Sequence, residues 1–275
     1  MQVLPFFKMH GIGNDYVYVD CFQLYTSAMI ASVDLPQLAR RIADRHYGVG
    51  GDGLVLIQPS TVADAAMRIF NADGSEAEMC GNASRCVAKY LRESGICPRE
   101  HMMLETLSGI REITIAYSVE GEEQITVNMG IPTIHVDTLN LQAPTRFVEV
   151  NMGNPHAVFF RPEMISTEEI NAIGPQISTH THFLHGTNVE FVSVLGPHDL
   201  QMRVWERGSG ETMACGTGAC AAAVAAIQVQ KVTSPVEVHL RGGNLIIEWA
   251  GDNQPVMMTG TAKQVFWGKY PIGNE

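Results

Sequence analysis

The stretch MRIFNADGSEAEMCGN, from Met67 to Asn82, returns in the second half of the chain as MRVWERGSGETMACGT, from Met202 to Thr217. Identical residues occupy equivalent places in the two stretches: Met67/Met202, Arg68/Arg203, Glu76/Glu211, Cys80/Cys215 and Gly81/Gly216. At similar spacing, GDGLVLI from Gly51 matches GTNVEFV from Gly186, and GNDYVYV from Gly13 matches GNPHAVF from Gly153. Such dense repetition predicts that the chain contains two copies of one folding unit.

Each copy combines short apolar or alternating strand segments with a glycine-rich turn and a helix. Helices are predicted from Asp34 to His46, Ser84 to Ser94, Thr167 to Ile173 and Gly218 to Gln230. The last of them, GACAAAVAAIQVQ, is apolar on every face at its start, which is typical of a helix enclosed by other elements. The sequence therefore predicts two sheet-rich units, each wrapped around one helix.

Composition restricts the kinds of partner that the chain can bind. The 275 residues carry a formal net charge of −11, with 45% hydrophobic and 17% charged residues. A broad contact with nucleic acid or an anionic membrane needs basic clusters, which the sequence lacks. The N-terminal segment does not read as a signal peptide, and no run approaches the roughly 18 apolar residues of a membrane helix. We expect a cytoplasmic protein that acts on a small molecule.

Cys80 and Cys215 each lie at the start of a predicted helix. The first N–H groups of a helix lack internal partners and form its positive end, so they bind carboxylates and stabilise thiolates. Both thiols are therefore expected to have a pKa lowered toward neutrality. Two such thiols, one from each half, suit the inversion of a stereocentre, because one removes a proton and the other returns one. The backbone N–H groups of Gly81, Asn82, Gly216 and Thr217 are candidate donors to the substrate carboxylate.

Cys80 and Cys215 also have other possible roles. Both residues could pack structurally, and a non-catalytic thiol or metal-binding protein is the alternative from another functional class. The spacings from Cys80 to Cys86 and from Cys215 to Cys220 are wider than those of structural zinc sites, and no Cys-x-x-Cys motif occurs. No lysine lies in a setting typical of pyridoxal phosphate enzymes. We therefore expect neither a metal nor a cofactor, and interpret Glu76 and Glu211 as solvated or helix-start carboxylates.

Motifs along almost the whole chain resemble the diaminopimelate epimerase family: KMHGIGNDYVYVD, RHYGVGGDGLVLI, RIFNADGSEAEMCGNASRC, VNMGNPHAVFF, NVEFV and ERGSGETMACGTGAC. The resemblance implies an α/β (α+β) fold of two pseudo-symmetric domains, each a mixed strand barrel around a central helix. Domains of residues 1–122 with the tail 264–275, and of residues 123–263, are expected. It also implies cofactor-independent conversion of LL- to meso-diaminopimelate in lysine and peptidoglycan-precursor biosynthesis, by a homodimer.

The resemblance assigns roles position by position. Cys80 and Cys215 match the acid/base thiols, and His156 and Glu206 match residues that tune them. The implied substrate-binding residues are Asn14, Asn71, Gly81, Asn82, Asn154, Asn188, Glu206, Arg207, Gly216 and Thr217. Proline or hydroxyproline racemase-like enzymes of the same superfamily are the alternative. The chain departs from the family pattern at Ala83, usually Gly, at Gly53, where some members have Gln, and at Phe266, where certain members have a Tyr at a dimer contact.

Overall fold

Residues 2–140 and 144–273 are described by a computed structural model. Contacts divide the chain into two units. Unit 1 comprises Met1–Val127 and Thr261–Glu275, and unit 2 comprises Asn128–Gly260. Within the described ranges, no helix is both long and apolar enough to cross a membrane.

The helices and strands alternate along the chain. They are β1 (Gln2–Gly11), β2 (Asn14–Asp20), α1 (Leu24–Ala31), α2 (Leu35–Ala43), β3 (Gly53–Gln58), β4 (Ala65–Asn71), β5 (Glu76–Ala77), α3 (Gly81–Glu93), β6 (His101–Thr106), β7 (Gly109–Tyr117), β8 (Glu123–Asn128), β9 (Thr133–Asn140), β10 (Pro144–Asn151), β11 (Pro155–Phe160), α4 (Thr167–Ser178), β12 (Asn188–Gly196), β13 (Asp199–Glu206), β14 (Gly210–Glu211), α5 (Gly216–Gln228), β15 (Val236–Leu240), β16 (Gly243–Glu248), β17 (Met257–Gly260) and β18 (Lys263–Ile272).

The strands of the two units pair in the same order and with the same directions. In unit 1, β1 pairs antiparallel with β18 and β2, β2 pairs parallel with β3, β3 antiparallel with β4, β4 parallel with β6, and β6 antiparallel with β7. In unit 2, β10 pairs antiparallel with β9 and β11, β11 parallel with β12, β12 antiparallel with β13, β13 parallel with β15, and β15 antiparallel with β16. This correspondence confirms that the chain contains two copies of one unit.

The first parallel strand pair of each unit is connected through helices. In unit 1, α1 and α2 lie between β2 and β3, and in unit 2, α4 lies between β11 and β12. Helix α2 begins after Asp34, whose carboxylate accepts the Gln37 N–H at 3.0 Å and supplies the partner that the first turn lacks. Its buried residues Leu38 and Ile42 belong to the same apolar cluster as Leu54 of the sheet. Burial of each such side chain contributes about 1.5–3 kcal/mol.

Helices α3 and α5 are the equivalent central helices. Residues 218–226 of α5 are all buried, and the helix contacts strands β10 to β13, β15 and β16. Helix α3 contacts β1, β2 and β7, and buries residues 81–88. The α/β class and the enclosed helix are as predicted. The helices begin at Gly81 and Gly216, earlier than predicted, because the preceding cysteines supply a side-chain acceptor at each start.

Candidate active site

Cys80 immediately precedes α3 in unit 1 and caps its first turn. Its backbone is extended, with φ −141° and ψ 114°, and its Sγ accepts the Ala83 N–H at 3.5 Å. The side chain is half-buried. Gly81 and Asn82 form the first turn, where backbone N–H groups are not used by the helical ladder. The start of α3 thus places a sulfur beside backbone donors.

A hydrogen-bond chain leads from Cys80 to the loop before β3. The Cys80 thiol donates to Asn14 Oδ1 at 3.4 Å, and Asn14 Nδ2 donates to Asp52 Oδ2 at 2.7 Å. Arg45 binds the other Asp52 oxygen at 3.0 Å. Burial raises the pKa of Asp52, and the nearby Asp15 carboxylate raises it further. Asp52 therefore holds the Asn14 amide with its oxygen toward the sulfur.

Two more predicted substrate-binding asparagines of unit 1 have partners within that unit. Asn71 ends β4 and its Nδ2 donates to Ser75 Oγ at 3.0 Å. Asn82 is buried, and its Oδ1 accepts a hydrogen bond from Arg85 Nη2 at 2.8 Å. These bonds fix the orientation of both amides.

Cys215 occupies the equivalent place at the start of α5. Its Sγ accepts the Gly218 N–H at 3.4 Å, and the side chain is buried. Thr217 Oγ1 lies 3.6 Å from the sulfur, and the Glu206 carboxylate lies near enough to the thiol to shift its pKa. Glu206 ends β13 and accepts a hydrogen bond from the Thr212 hydroxyl. A buried thiol and a half-buried carboxylate therefore share one environment in unit 2.

The electrostatics around Cys215 differ from the sequence-based expectation. Burial raises the pKa of the Cys215 thiol well above its ordinary value, and the carboxylates of Glu206 and Glu190 raise it further. Hydrogen bonds from Thr217 and Gly218 act in the opposite direction. The expectation of a lowered pKa is wrong for Cys215, because desolvation and two nearby carboxylates outweigh the helix start.

His156 lies fully buried in β11, between two polar partners. Its Nδ1 lies 2.6 Å from Glu190 Oε1, and its Nε2 lies 3.0 Å from Asn154 Oδ1. Asn154 in turn donates from Nδ2 to Thr217 Oγ1 at 3.3 Å. His156 is thus connected to the thiol of Cys215 through Asn154 and Thr217.

Asn188 and Arg207 are joined to each other in unit 2. Asn188 Oδ1 accepts the Arg207 N–H at 3.0 Å, and Asn188 Nδ2 donates to Pro155 O at 3.0 Å. The Arg207 guanidinium donates to His185 O at 2.8 Å and lines a cavity of about 400 Å³ together with Trp205. The cation is therefore available at a cavity wall.

The matched Arg and Glu residues of the repeat form an ion pair in each unit. Arg68 binds Glu76 through Nε at 2.6 Å and Nη2 at 3.1 Å. Arg203 binds Glu211 through Nε at 2.8 Å and Nη2 at 2.9 Å. The interpretation as a solvated or helix-start carboxylate is wrong for Glu211, whose side chain is 8% exposed and paired. Glu76 is exposed, as expected, and is paired as well. Each pair joins a short strand, β5 or β14, to the longer strand that precedes it, and the short strand leads toward the cysteine.

The sequence profile of the family described as diaminopimelate epimerase matches residues 6–135 and 148–265. The chain belongs to the diaminopimelate epimerase family. A protein of Pelotomaculum thermopropionicum named diaminopimelate epimerase is 45% identical over 98% of this chain and 99% of its own length. One of Desulfitobacterium hafniense with the same name is 46% identical over 95% of this chain and 96% of its own length.

Solved structures of low sequence identity share the fold of this diaminopimelate epimerase family member. A Bacillus anthracis phenazine biosynthesis protein of the PhzF family has a TM-score of 0.75 at 18% identity, covering 99% of this chain and all of the other. A hydroxyproline epimerase of Agrobacterium vitis has a TM-score of 0.72 at 17% identity, covering 98% of this chain and 92% of the other. The implied diaminopimelate epimerase-like fold is confirmed.

The departures from the pattern of the diaminopimelate epimerase family have different structural settings. A Cβ atom at Gly53 would lie 2.0 Å from the Phe70 carbonyl oxygen, so this backbone cannot hold the Gln of some members. Ala83 is accommodated fully buried within α3. Phe266 lies on β18, partly exposed, with its ring 6.0 Å from that of Phe6.

Two carboxylates that contact the predicted site residues escaped the sequence analysis of this diaminopimelate epimerase family member. Asp52 lies in the GGDG segment, and its match in the second copy is Thr187. Glu190 is matched by Val55. Both residues differ between the copies, so the identical pairs of the repeat do not reveal them. The available signal for Glu190 was that a charged residue in one copy aligns with an apolar residue in the other.

Proposed function

We propose that this protein converts LL-diaminopimelate to meso-diaminopimelate without a cofactor, as an isomerase of lysine and peptidoglycan-precursor biosynthesis. Membership of the diaminopimelate epimerase family supports the reaction. The observation that carries the mechanism is the placement of Cys80 and Cys215 as the residues that cap equivalent helices in two equivalent units. We also propose that units 1 and 2 are the two domains.

In the proposed reaction, one cysteine thiolate removes the α-proton and the thiol of the other cysteine returns a proton to the opposite face. Their roles exchange for the opposite stereoisomer. Charge growing on the substrate carboxylate is stabilised by N–H groups at the helix starts, each worth about 3–4 kcal/mol. These groups belong to Gly81, Asn82, Gly216 and Thr217. The proposed substrate-binding side chains are Asn14, Asn71, Asn154, Asn188, Glu206 and Arg207.

The thiol environments differ between the units, which bears on the proposed proton transfer. Cys215 contacts Glu206, whose pKa burial raises, and a carboxylate of this kind can accept the thiol proton when the thiolate forms. Cys80 instead donates to the neutral amide of Asn14. We propose Glu206 and His156 as the residues that tune Cys215.

The reaction is tested by incubating the pure protein with LL-diaminopimelate in deuterium oxide. We expect α-deuterated meso product without added cofactor, and loss of turnover in Cys80→Ala and in Cys215→Ala. A Cys21→Ala variant is the control, since that buried cysteine lies at the end of a strand outside the proposed site. Full activity in either Cys80→Ala or Cys215→Ala contradicts the two-thiol mechanism. Turnover of proline or hydroxyproline in place of diaminopimelate contradicts the proposed substrate.

A homodimer acting in the cytoplasm completes the proposal. Strand β18 exposes apolar side chains, with Val265 56%, Phe266 43% and Trp267 72% accessible. Exposed contiguous apolar residues of this kind favour a protein partner, and sedimentation of the purified protein tests whether that partner is a second copy.

A further inference from the structure

Glu190 is a buried carboxylate to which the family resemblance assigned no role. It lies on β12 with 0% of its surface exposed, and its Oε2 has no hydrogen-bond partner in the part of the chain that the structure describes. A carboxylate taken out of water costs several kcal/mol unless it is well paired. Because Glu190 is kept on the strand next to His156 despite this cost, we expect it to have a specific role.

The contact between Glu190 and His156 holds a proton. The Oε1 and Nδ1 atoms lie 2.6 Å apart, and neither side chain is exposed. On the other side of the ring, Nε2 faces Asn154 Oδ1 at 3.0 Å, so a proton is required there too. One ring proton therefore points to Asn154, and the other is shared with Glu190. Glu190 fixes both the rotation of the ring and the direction of its hydrogen bonds.

This direction is passed on to the sulfur of Cys215. Asn154 accepts from His156 through Oδ1, so its Nδ2 donates to Thr217 Oγ1 at 3.3 Å. The Thr217 oxygen accepts that bond, and its own proton is free to point to Cys215 Sγ at 3.6 Å. A hydrogen-bond chain thus runs from a buried carboxylate to the proposed catalytic thiol.

Glu190 also lies close to the sulfur directly. A Cβ atom built on Gly218 would be 2.8 Å from Glu190 Oε1 and 3.2 Å from Cys215 Sγ, so the carboxylate and the thiol flank the same glycine. The other ionisable groups around the thiol are Glu206 on β13 and His156 on β11. With its two protons the Glu190–His156 pair is neutral as a whole. Its carboxylate end borders Gly218, as the sulfur does, so the charge of the pair that lies beside the thiol is negative and opposes ionisation of the thiol.

We propose that Glu190 is a positioning residue for Cys215: it orients His156 at the head of the hydrogen-bond chain, and its carboxylate favours the protonated thiol. The inference rests on the proposed function, in which Cys215 exchanges a proton with substrate. In unit 1, Val55 occupies the position equivalent to Glu190, and Tyr16 occupies the position equivalent to His156. The repeated thiols are therefore unequal, with this carboxylate and imidazole present in unit 2 alone.

The test measures alkylation of Cys215 by iodoacetamide against pH, read by mass spectrometry of its peptide. In Glu190→Gln we expect the midpoint of the rate curve to fall by about one pH unit, the effect of removing a nearby charge. We expect kcat to fall about 10- to 100-fold, the loss that follows when the hydrogen-bond partner of a metal-bound imidazole is removed. In Glu190→Asp the charge remains, but the side chain is one methylene shorter and cannot hold His156 in the same way. We therefore expect the midpoint to stay near that of the wild type while kcat falls.

Two controls separate this role from a loosened fold. Cys220, buried in the same helix, must keep its wild-type labelling in each variant, since loosening of α5 would expose it too. Ser193→Ala removes another buried polar side chain of β12 and should change neither the midpoint nor kcat. A midpoint in Glu190→Gln equal to or above that of the wild type, or an unchanged kcat, overturns the proposal. The alkylation curve needs no turnover, so an inactive wild-type protein would refute only the proposed function.

Discussion

Ala83 and Gly218 occupy equivalent positions, each donating its backbone N–H to the sulfur that begins a central helix. Their surroundings differ because unit 2 has Glu190 where unit 1 has Val55. A methyl group at position 218 would approach Glu190 Oε1 to 2.8 Å, and this oxygen cannot move freely because it is bound to His156. Glycine is therefore required at one helix start and not at the other.

Gly218→Ala should consequently lower both stability and activity. Alanine gains about 1 kcal/mol of helix propensity, but overpacking a buried site costs about 1–3 kcal/mol. We expect a lower free energy of unfolding in urea and a reduced kcat, because Glu190 or Cys215 must shift. The matched control is Ala83→Gly, which should lose about 1 kcal/mol of stability through helix propensity and keep its activity. A Gly218→Ala protein that is more stable and fully active would refute the steric argument.

Among the elements, the short strands β5 and β14 depend on ion pairs that the repeat duplicates but buries to different extents. The side chains of Arg203 and Glu211 are 13% and 8% exposed, whereas those of Arg68 and Glu76 are 38% and 30% exposed. Glu211 also binds Arg241 at 3.0 Å. The same pair should therefore contribute more in unit 2, where water competes less for the charges.

Glu211→Gln should lower the free energy of unfolding by about 1–3 kcal/mol, since it leaves the guanidinium of Arg203, whose side chain is 13% exposed, without its carboxylate. Glu76→Gln is the equivalent change in unit 1 and should cost less than about 1 kcal/mol, as exposed pairs do. Urea unfolding of both variants makes the comparison. Equal losses would show that burial does not set the contribution of this pair.

Across the whole molecule, buried thiols make stability depend on alkaline pH. Burial raises the pKa of Cys21 and of Cys86 to about 12, and that of Cys215 well above the ordinary 9.0. A folded-state pKa above the unfolded value contributes stability that is complete below pH 9.0 and is lost as the pH rises toward 12. Unfolding therefore releases protons in this range.

The free energy of unfolding should fall above pH 9.0 by about 1.4 kcal/mol per pH unit for each of these thiols. Urea unfolding at a series of pH values measures the slope. Cys86→Ala should lower stability at neutral pH by creating a cavity, yet make the alkaline slope shallower by the share of one thiol. An unchanged slope in this variant would contradict the assigned cause.

Local sequence signals predicted the elements whose patterns are self-contained. A buried element appears in the sequence as a run of apolar residues. Such runs predicted β2, β3, β11 and β12 and the uniformly apolar α5. Helix α1 was missed because its start has no capping side chain and its apolar residues do not concentrate on one face. Strands β1 and β18 pair with each other from opposite ends of the chain, a contact that no local pattern reveals.

The sequence by itself determined the duplication, the α/β class and the cysteine at the start of each central helix, because identity between copies and apolar periodicity are properties of the chain alone. Only the tertiary structure placed Asp52 beside Asn14 and Glu190 beside His156, and showed that burial raises the pKa of Cys215. The physical reason is that desolvation and hydrogen bonding depend on neighbours from other strands. Such neighbours are adjacent in space and distant along the chain.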